Sequence, residues 1–179
     1  MPGPVVVLGV APGIRHLAYV VLAVGGGPKH RTLDHDVLKG ARATPETPSA
    51  EVRKKAGIAL KILEVVIERA PPAILVIGPP ASSKEPALHV DACRILLRLL
   101  AHALTEHGLK VRVFEQATQA DLLETLGTSS LKRIVAQKID GFGAVRAKPL
   151  QLAAASALAG VVSHETSPCL LSPLPTSSR

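Results

Sequence analysis

Apolar residues along the chain fall into runs of two kinds, and the N-terminal runs have the character of strands. Residues 4–11 form a continuous apolar run closed by a Pro-Gly turn, and residues 16–24 form a second run that ends at three glycines. Residues 31–38 alternate between apolar and polar side chains. A continuous run is typical of a strand buried on both faces, whereas alternation predicts a more exposed antiparallel strand.

Helical spacing then alternates with short apolar runs. A Pro/Thr-rich loop at residues 43–49 precedes a predicted helix over 50–69, and further helices are predicted over 86–107, 118–126, 129–139 and 149–163. Strands are predicted at 73–77 and 109–115. The order βββαβαβααα, hairpins followed by crossovers, predicts an α/β fold with a mixed five-stranded sheet and helices on both faces. We expect one domain over residues 1–164 and a flexible Ser/Pro-rich tail over 165–179.

Charge and composition narrow the functional classes. The 179 residues carry 21 Lys and Arg against 14 Asp and Glu, a net charge of +7. This balance favours a polyanionic partner, of which nucleic acid is the commonest; solubility charge is the alternative. Cys93 and Cys169 have neither metal-site nor disulfide-framework spacing, which favours a reducing cytoplasm. We expect a cytoplasmic protein without a signal peptide or membrane partner, since no apolar run approaches the roughly 20 residues of a membrane span.

Three segments carry a family resemblance. Residues 8–15 read Leu-Gly-Val-Ala-Pro-Gly-Ile-Arg, residues 113–117 read Val-Phe-Glu-Gln-Ala, and residues 153–159 read Ala-Ala-Ala-Ser-Ala-Leu-Ala. Together with Gly127, the pair Lys132-Arg133 and His164, they resemble the first strand and turn, the fifth strand with the helices after it, and the last helix of RuvC-type Holliday-junction resolvases. The resemblance covers residues 4–164 and implies an RNase H-like fold.

The family resemblance also implies a metal site, and this chain lacks its ligands. Members of the family hold two Mg²⁺ or Mn²⁺ ions with four acidic or imidazole side chains, because hard cations prefer carboxylate oxygens. The corresponding positions fall on Ala11, Gly78, Ala153 and Ser156. We therefore expect no catalytic residue, no metal and no cofactor. The chain is identified as a degenerate member of the family, a catalytically inactive pseudo-resolvase.

Other acidic residues offer an alternative set of ligands. Asp34 and Asp36 lie on one face of the third strand, and Glu115 ends the fifth. They could be relocated metal ligands, but a solvated strand face explains the two aspartates more simply. Glu115 is expected to pair with a basic residue or to cap the next helix, and Ser156 to pack in a helix interface.

The resemblance implies a DNA surface of basic residues at helix ends and in loops. Phosphate contacts give affinity that does not depend on base sequence. The loop at residues 79–83 lacks the aromatic side chain that the family inserts into a junction, so general DNA binding is better supported than junction-specific binding. The candidates for phosphate contacts are Arg15, Lys84, Lys132, Arg133, Lys138, Arg146 and Lys148.

The second long helix is the expected dimer interface. In the family the equivalent helix pairs across a two-fold axis, and this helix is rich in leucine. The predicted interface residues are Leu88, Ala92, Ile95, Leu96, Leu99 and Leu100.

Three functions remain open at this point. The first is a non-catalytic RuvC-like homodimer that binds branched or duplex DNA. The second is a scaffold that has lost DNA binding and docks a protein partner through the dimer helix or the tail. The third is an active nuclease with relocated ligands.

Overall fold

The structure, a computed structural model, describes residues 4–39 and 49–166. Its strands and helices confirm the predicted order. The strands are β1 (Val5–Ala11), β2 (His16–Val24), β3 (Arg31–Lys39), β4 (Ile74–Ile77) and β5 (Arg112–Glu115). The helices are α1 (Ser49–Arg69), α2 (Ala87–Glu106), α3 (Gln119–Thr125), α4 (Leu131–Lys138) and α5 (Lys148–Thr166), with a short 3₁₀ turn at Phe142–Ala144.

The five strands form one mixed sheet in the order β3-β2-β1-β4-β5. The three N-terminal strands pair antiparallel, with a register shift between Val21 and Leu22 in the β2–β3 pair. β4 pairs parallel with β1, and β5 pairs parallel with β4, because helices connect these strands. The carboxyl ends of β1 and β4 therefore lie side by side in the middle of the sheet.

Each face of the sheet is covered by a different set of helices. Alternate residues of the central strands, such as Val7 and Val76, pack with α3, α4 and α5. Their neighbours Leu8 and Leu75 pack with α1 and α2. This two-sided burial explains why β1 and β4 read as uninterrupted apolar runs. Residues 152–161 of α5 are all buried.

Several boundaries differ from the predicted ones. α5 continues to Thr166, past the predicted end of the domain at residue 164, and β5 begins only at Arg112. β5 starts late because the preceding residues close α2, where the Leu109 N–H donates to the Leu104 carbonyl at 3.0 Å. Most of the predicted 43–49 loop and the tail beyond residue 166 lie outside the described residues. None of the helices that the structure describes is long and apolar enough to span a bilayer.

The face of α2 that packs on the protein is not the leucine-rich one. His89, Cys93, Leu97 and Ala101 are buried against the sheet and α1. Leu88, Ile95 and Leu99 are 48%, 52% and 57% exposed. Because apolar residues of α2 lie on its outer side as well as on its inner side, periodicity does not identify the inner face.

Candidate functional site

The four positions that correspond to the family's metal ligands come together at the centre of the sheet. Ala11 ends β1, and the Gly78 N–H donates to the Val10 carbonyl at 2.7 Å, so the ends of β1 and β4 are directly joined. α5 lies across this joint and contributes Ala153 and Ser156, both completely buried. The four positions that the resemblance assigns to metal ligands are therefore neighbours in the fold.

The side chains at this joint provide almost no ligands for a divalent cation. Ala11 and Ala153 have methyl side chains, and the Ser156 hydroxyl donates to the Leu152 carbonyl at 2.7 Å. Within residues 4–39 and 49–166, no three His, Cys, Asp or Glu side chains are grouped so that they could hold a metal ion. Since Mg²⁺ gives up its water only for several oxygen ligands, the residues present do not fit the two-metal centre that the family implies.

The joint is also sterically closed. A Cβ atom added at Gly78 would lie 2.0 Å from Ser156 Oγ and 3.0 Å from Ser156 Cβ. One added at Gly9 would lie 2.2 Å from the Ala153 carbonyl oxygen, which belongs to the α5 backbone. The helix thus occupies the space in which side-chain ligands and metal ions would have to fit.

The acidic residues considered as relocated ligands do not meet. Asp34 and Asp36 lie on β3 and Glu115 on β5, the two opposite edges of the sheet. Four interstrand spacings of about 4.8 Å separate these edges by about 19 Å, whereas a two-metal centre spans about 4 Å. These three carboxylates cannot share one metal centre.

Local partners account for each of these carboxylates. The Asp34 carboxylate accepts from the Tyr19 hydroxyl at 3.4 Å and from the His35 N–H at 2.8 Å, and Asp36 accepts from the Val37 N–H. The Arg98 guanidinium donates to Glu115 through Nε and, at 2.8 Å, through Nη2. This hydrogen bonding lowers the pKa of the Glu115 carboxyl. The predicted pairing of Glu115 with a basic residue is confirmed.

One buried acid at this edge of the sheet, Glu85, could not be singled out from the sequence pattern. The Glu85 side chain is fully buried, and its Oε1 accepts hydrogen bonds from the backbone N–H groups of Ile14, at 2.7 Å, and Arg15, at 3.1 Å. His89 Nδ1 lies 3.3 Å from the same oxygen. An acid that follows Ser-Ser-Lys resembles a solvated loop residue, and only its four-residue spacing from His89 signals a partner.

Glu85 joins two loops at the carboxyl ends of β1 and β4. One is the β1–β2 turn, residues 12–15, and the other is the β4–α2 loop, residues 78–86. The Ala81 N–H also donates to the Pro12 carbonyl at 2.9 Å. We call these two loops the platform. It carries two of the predicted DNA-contacting residues, the partly exposed Arg15 and the exposed Lys84.

A second group of basic candidates lies at the N-terminal ends of α4 and α5. Lys132 and Lys148 line one depression of about 300 Å³, and among the residues that the structure describes no acidic one contributes to its lining. Ser130 caps α4 by accepting from the Arg133 N–H, and both helices present their positive ends here. The polar side chains that share the depression are Gln119, Ser129, Ser130 and Gln151.

The remaining basic candidates are more scattered. Arg133 is exposed in the first turn of α4, and Arg146 is exposed just before α5. Lys138 lies at the opposite end of α4, where it lines a different cavity of about 400 Å³ with His30 and Glu165. The structure therefore separates Lys138 from Lys132 by the length of α4, about 9 Å for six residues.

The predicted dimer residues divide into two sets. Leu88, Ile95 and Leu99 point outward, as given above. Ala92, Leu96 and Leu100 are half-buried and pack against the protein's own core. The first set is the more accessible one to a partner chain.

Comparison with known proteins identifies the fold. No protein-family model and no curated protein sequence matches the chain. Among solved structures, Thermus thermophilus RuvC is similar at 23% identity with a TM-score of 0.66, and its complex with a Holliday-junction substrate at 22% identity with a TM-score of 0.64. Both similarities cover 90% of this chain and 96% of the other.

A more distant structure has the same architecture. The yeast mitochondrial Holliday-junction resolvase Ydc2 is 13% identical with a TM-score of 0.57, over 88% of this chain and 82% of that one. The chain therefore has the RNase H-like fold of RuvC-type resolvases, as the sequence resemblance implies.

Proposed function

We propose that this chain is a RuvC-like protein without nuclease activity, which dimerises and binds branched or duplex DNA through phosphate contacts. The observation that carries the proposal is the depression between α4 and α5, in which Lys132 and Lys148 meet two positive helix ends without an acidic neighbour. A phosphate fits such a surface because lysine ammonium groups and free helix N–H groups both favour a negative charge.

Two further observations support DNA as the polyanion. The chain carries a net charge of +7. One structure of the same fold was solved with a Holliday-junction substrate. The absence of nuclease activity is inferred from the missing carboxylates at Ala11, Gly78, Ala153 and Ser156 and from the closed packing around them. A two-metal mechanism has no ligands at this joint.

The test is a titration of a labelled four-way junction and a matched duplex, with Mg²⁺ or Mn²⁺ present, at low and moderate salt. We expect a mobility shift that weakens with salt and no cleavage. The ratio of junction to duplex affinity measures whether DNA shape is recognised. Metal-dependent cleavage would refute the proposal, and its loss in Glu115→Gln would instead support the relocated-ligand nuclease.

Variants locate the contact. The double variant Lys132→Ala/Lys148→Ala is expected to weaken binding at least tenfold and to reduce the slope of log K against log salt by about two, because each phosphate contact releases counterions. Lys54→Ala/Lys61→Ala is the matched control, since it removes the same charge from the exposed side of α1, on the other face of the sheet. Equal losses in both variants would mean that only net charge matters.

Dimerisation rests on the outward stripe of α2. Leu88, Ile95 and Leu99 are each about half exposed, and exposed leucine and isoleucine along one helix face favour burial against another surface. We expect light scattering to give twice the 18.7 kDa chain mass and Leu99→Glu to give a monomer. Ile62→Glu, an equally outward position on α1, is the control that should remain dimeric.

One observation favours a second candidate, the protein-interaction scaffold. Ile58, Ile62 and Val65 form another exposed stripe on α1, at 58%, 46% and 44% exposure. With the α2 stripe, this gives the face of the sheet opposite the basic depression two stripes of exposed apolar side chains. If no salt-dependent DNA binding is seen at either salt concentration, the scaffold becomes the better account.

A further inference from the structure

We propose that Glu85 is a positioning residue for DNA binding, which fixes the β1–β2 turn so that Arg15 is held ready for a backbone phosphate. This inference rests on the proposed function above, and it concerns how the protein positions one of the residues that would contact DNA.

The β1–β2 turn is too short to satisfy its own backbone. β1 ends at Ala11 and β2 begins at His16, so the N–H groups of Ile14 and Arg15 lie outside the strand pairing. The turn is tight: a Cβ atom at Gly13 would lie 2.5 Å from the His16 carbonyl oxygen. Buried backbone donors without partners are costly, so a turn of this shape needs an external acceptor.

Glu85 supplies that acceptor from 70 residues away. One carboxylate oxygen accepts from both N–H groups, at 2.7 and 3.1 Å, and the side chain has no solvent exposure. Hydrogen bonds from N–H groups to a buried carboxylate are among the strong ones, because the acceptor is charged and the surroundings screen little. His89, one helical turn further along, lies within hydrogen-bonding distance of the same oxygen and holds the carboxylate in place.

The bond to the Arg15 N–H acts directly on the residue that would meet DNA. Arg15 is partly exposed, so DNA can reach this residue while the Glu85 carboxylate holds its backbone N–H. Fixing the backbone before binding removes part of the ordering cost that a mobile turn would incur. In the β4–α2 loop, the Lys84 N–H donates to Ser82 Oγ at 3.2 Å. Both basic groups of the platform are therefore presented by an ordered backbone.

A double-mutant cycle tests this role. We expect Arg15→Ala to weaken DNA binding about tenfold and to lower the salt slope by about one, the loss of one charge-assisted phosphate contact. Glu85→Ala is expected to weaken binding by a similar factor and to lower the slope as well, although it removes a negative charge. The double variant should bind no more weakly than Arg15→Ala, because the two residues act through one contact.

The sign of the Glu85→Ala effect separates positioning from bulk electrostatics. Removing an acid raises the net positive charge, which by itself would strengthen binding to DNA. Glu85→Gln is the conservative variant. No hydrogen bond to Oε2 is made within the described residues, so an amide nitrogen can take that place while the carbonyl oxygen keeps both backbone bonds. We expect its affinity to stay within about twofold of the wild type, since both bonds to the turn remain.

Hydrogen exchange gives a readout that does not involve DNA. In the wild-type protein the amides of Ile14 and Arg15 should exchange as slowly as strand amides. They should exchange rapidly in Glu85→Ala. If that variant does not fold, Glu85→Asp replaces it, because a side chain one methylene shorter withdraws the carboxylate from the turn while keeping its charge.

The outcomes distinguish this inference from the function on which it rests. A wild-type protein that binds no DNA overturns the proposed function and this inference together. Loss of affinity in Arg15→Ala with none in Glu85→Ala or Glu85→Asp overturns the inference alone. Additive losses in the double variant, or an unaltered affinity in Arg15→Ala, also overturn it.

Discussion

Replacing Gly9 by alanine tests the close approach of α5 to the sheet. A Cβ atom at this position would lie 2.2 Å from the Ala153 carbonyl oxygen, 2.5 Å from the Ala157 nitrogen and 2.8 Å from the Ala157 Cβ. Nonbonded carbon atoms pack at about 3.5–4.0 Å, so the helix would have to retreat by on the order of 1 Å. Two of the three colliding atoms are backbone, and no change of rotamer can relieve them.

The expected cost is at the upper end of overpacking, about 3 kcal/mol, because retreat of a rigid helix loosens its contacts along the whole buried segment. For a chain of this length that corresponds to a fall in Tm of about 6–12 °C. Urea unfolding followed by helical circular dichroism measures the free energy directly. A loss below about 0.5 kcal/mol would refute the packing distance between α5 and β1.

Gly57→Ala is the control for this experiment. Gly57 lies within α1, and apart from the adjoining helix backbone no atom of the described residues is found within 4 Å of the position that its Cβ would occupy. The same substitution should there stabilise the protein by about 0.5–1 kcal/mol, because alanine is the better helix former. Opposite signs for one chemical change would show that packing, and not the added methyl group itself, decides the outcome.

Three further predictions concern titration and metal binding. Burial, together with the negative charges of Asp34 and Asp36, raises the pKa of Tyr19 to about 12. The tyrosinate absorbance of this tyrosine, the only one in the chain, should therefore appear near that pH in the wild type and at lower pH in Asp34→Asn. A titration midpoint near 10 in the folded wild type would contradict this. Burial lowers the pKa of His30, so its contribution to stability is present above the unfolded pKa and is lost as pH falls through the folded one. His30→Gln should therefore lose less Tm than the wild type between about pH 7.5 and pH 5, and equal losses would argue against the shift. The double variant Ala11→Asp/Gly78→Glu, which restores two acids, should have a lower Tm than the wild type, because both side chains would be buried at a closed joint. Adding Mn²⁺ should not raise the Tm of this variant. A Mn²⁺-dependent rise would show that the joint can open.

Much of the fold could be predicted because it depends on local pattern. β1 and β4 are buried on both faces and therefore read as continuous apolar runs, and β3 is an edge strand and therefore alternates. The inner face of α2 could not be predicted in this way. Its buried stripe contains His89, which is tolerated there because Glu85 is its partner, and pattern alone does not reveal that pairing.

For the candidate site, too, some features could be predicted from the sequence and others could not. The sequence itself shows that no carboxylate stands at the positions that the family resemblance assigns to metal ligands, which are Ala11, Gly78, Ala153 and Ser156. The joint is closed because α5 lies very close to the sheet. The sequence pattern could not predict this distance, because it is set by the packing of the whole core. The contact of Glu85 with the β1–β2 turn was missed for a related reason: it joins residues about 70 positions apart.

The position of α5 in the chain has a consequence for synthesis on the ribosome. β1, β2 and β4 are complete by Ile77, but the helix that covers one of their faces begins only at Lys148. At translation rates of about 5–20 residues per second, the nascent sheet exposes this apolar face for several seconds. The other face is covered earlier, by α1 and α2, because both are made before residue 107. We therefore expect chaperones to bind the nascent chain on the α5 side and to leave it once that helix has docked.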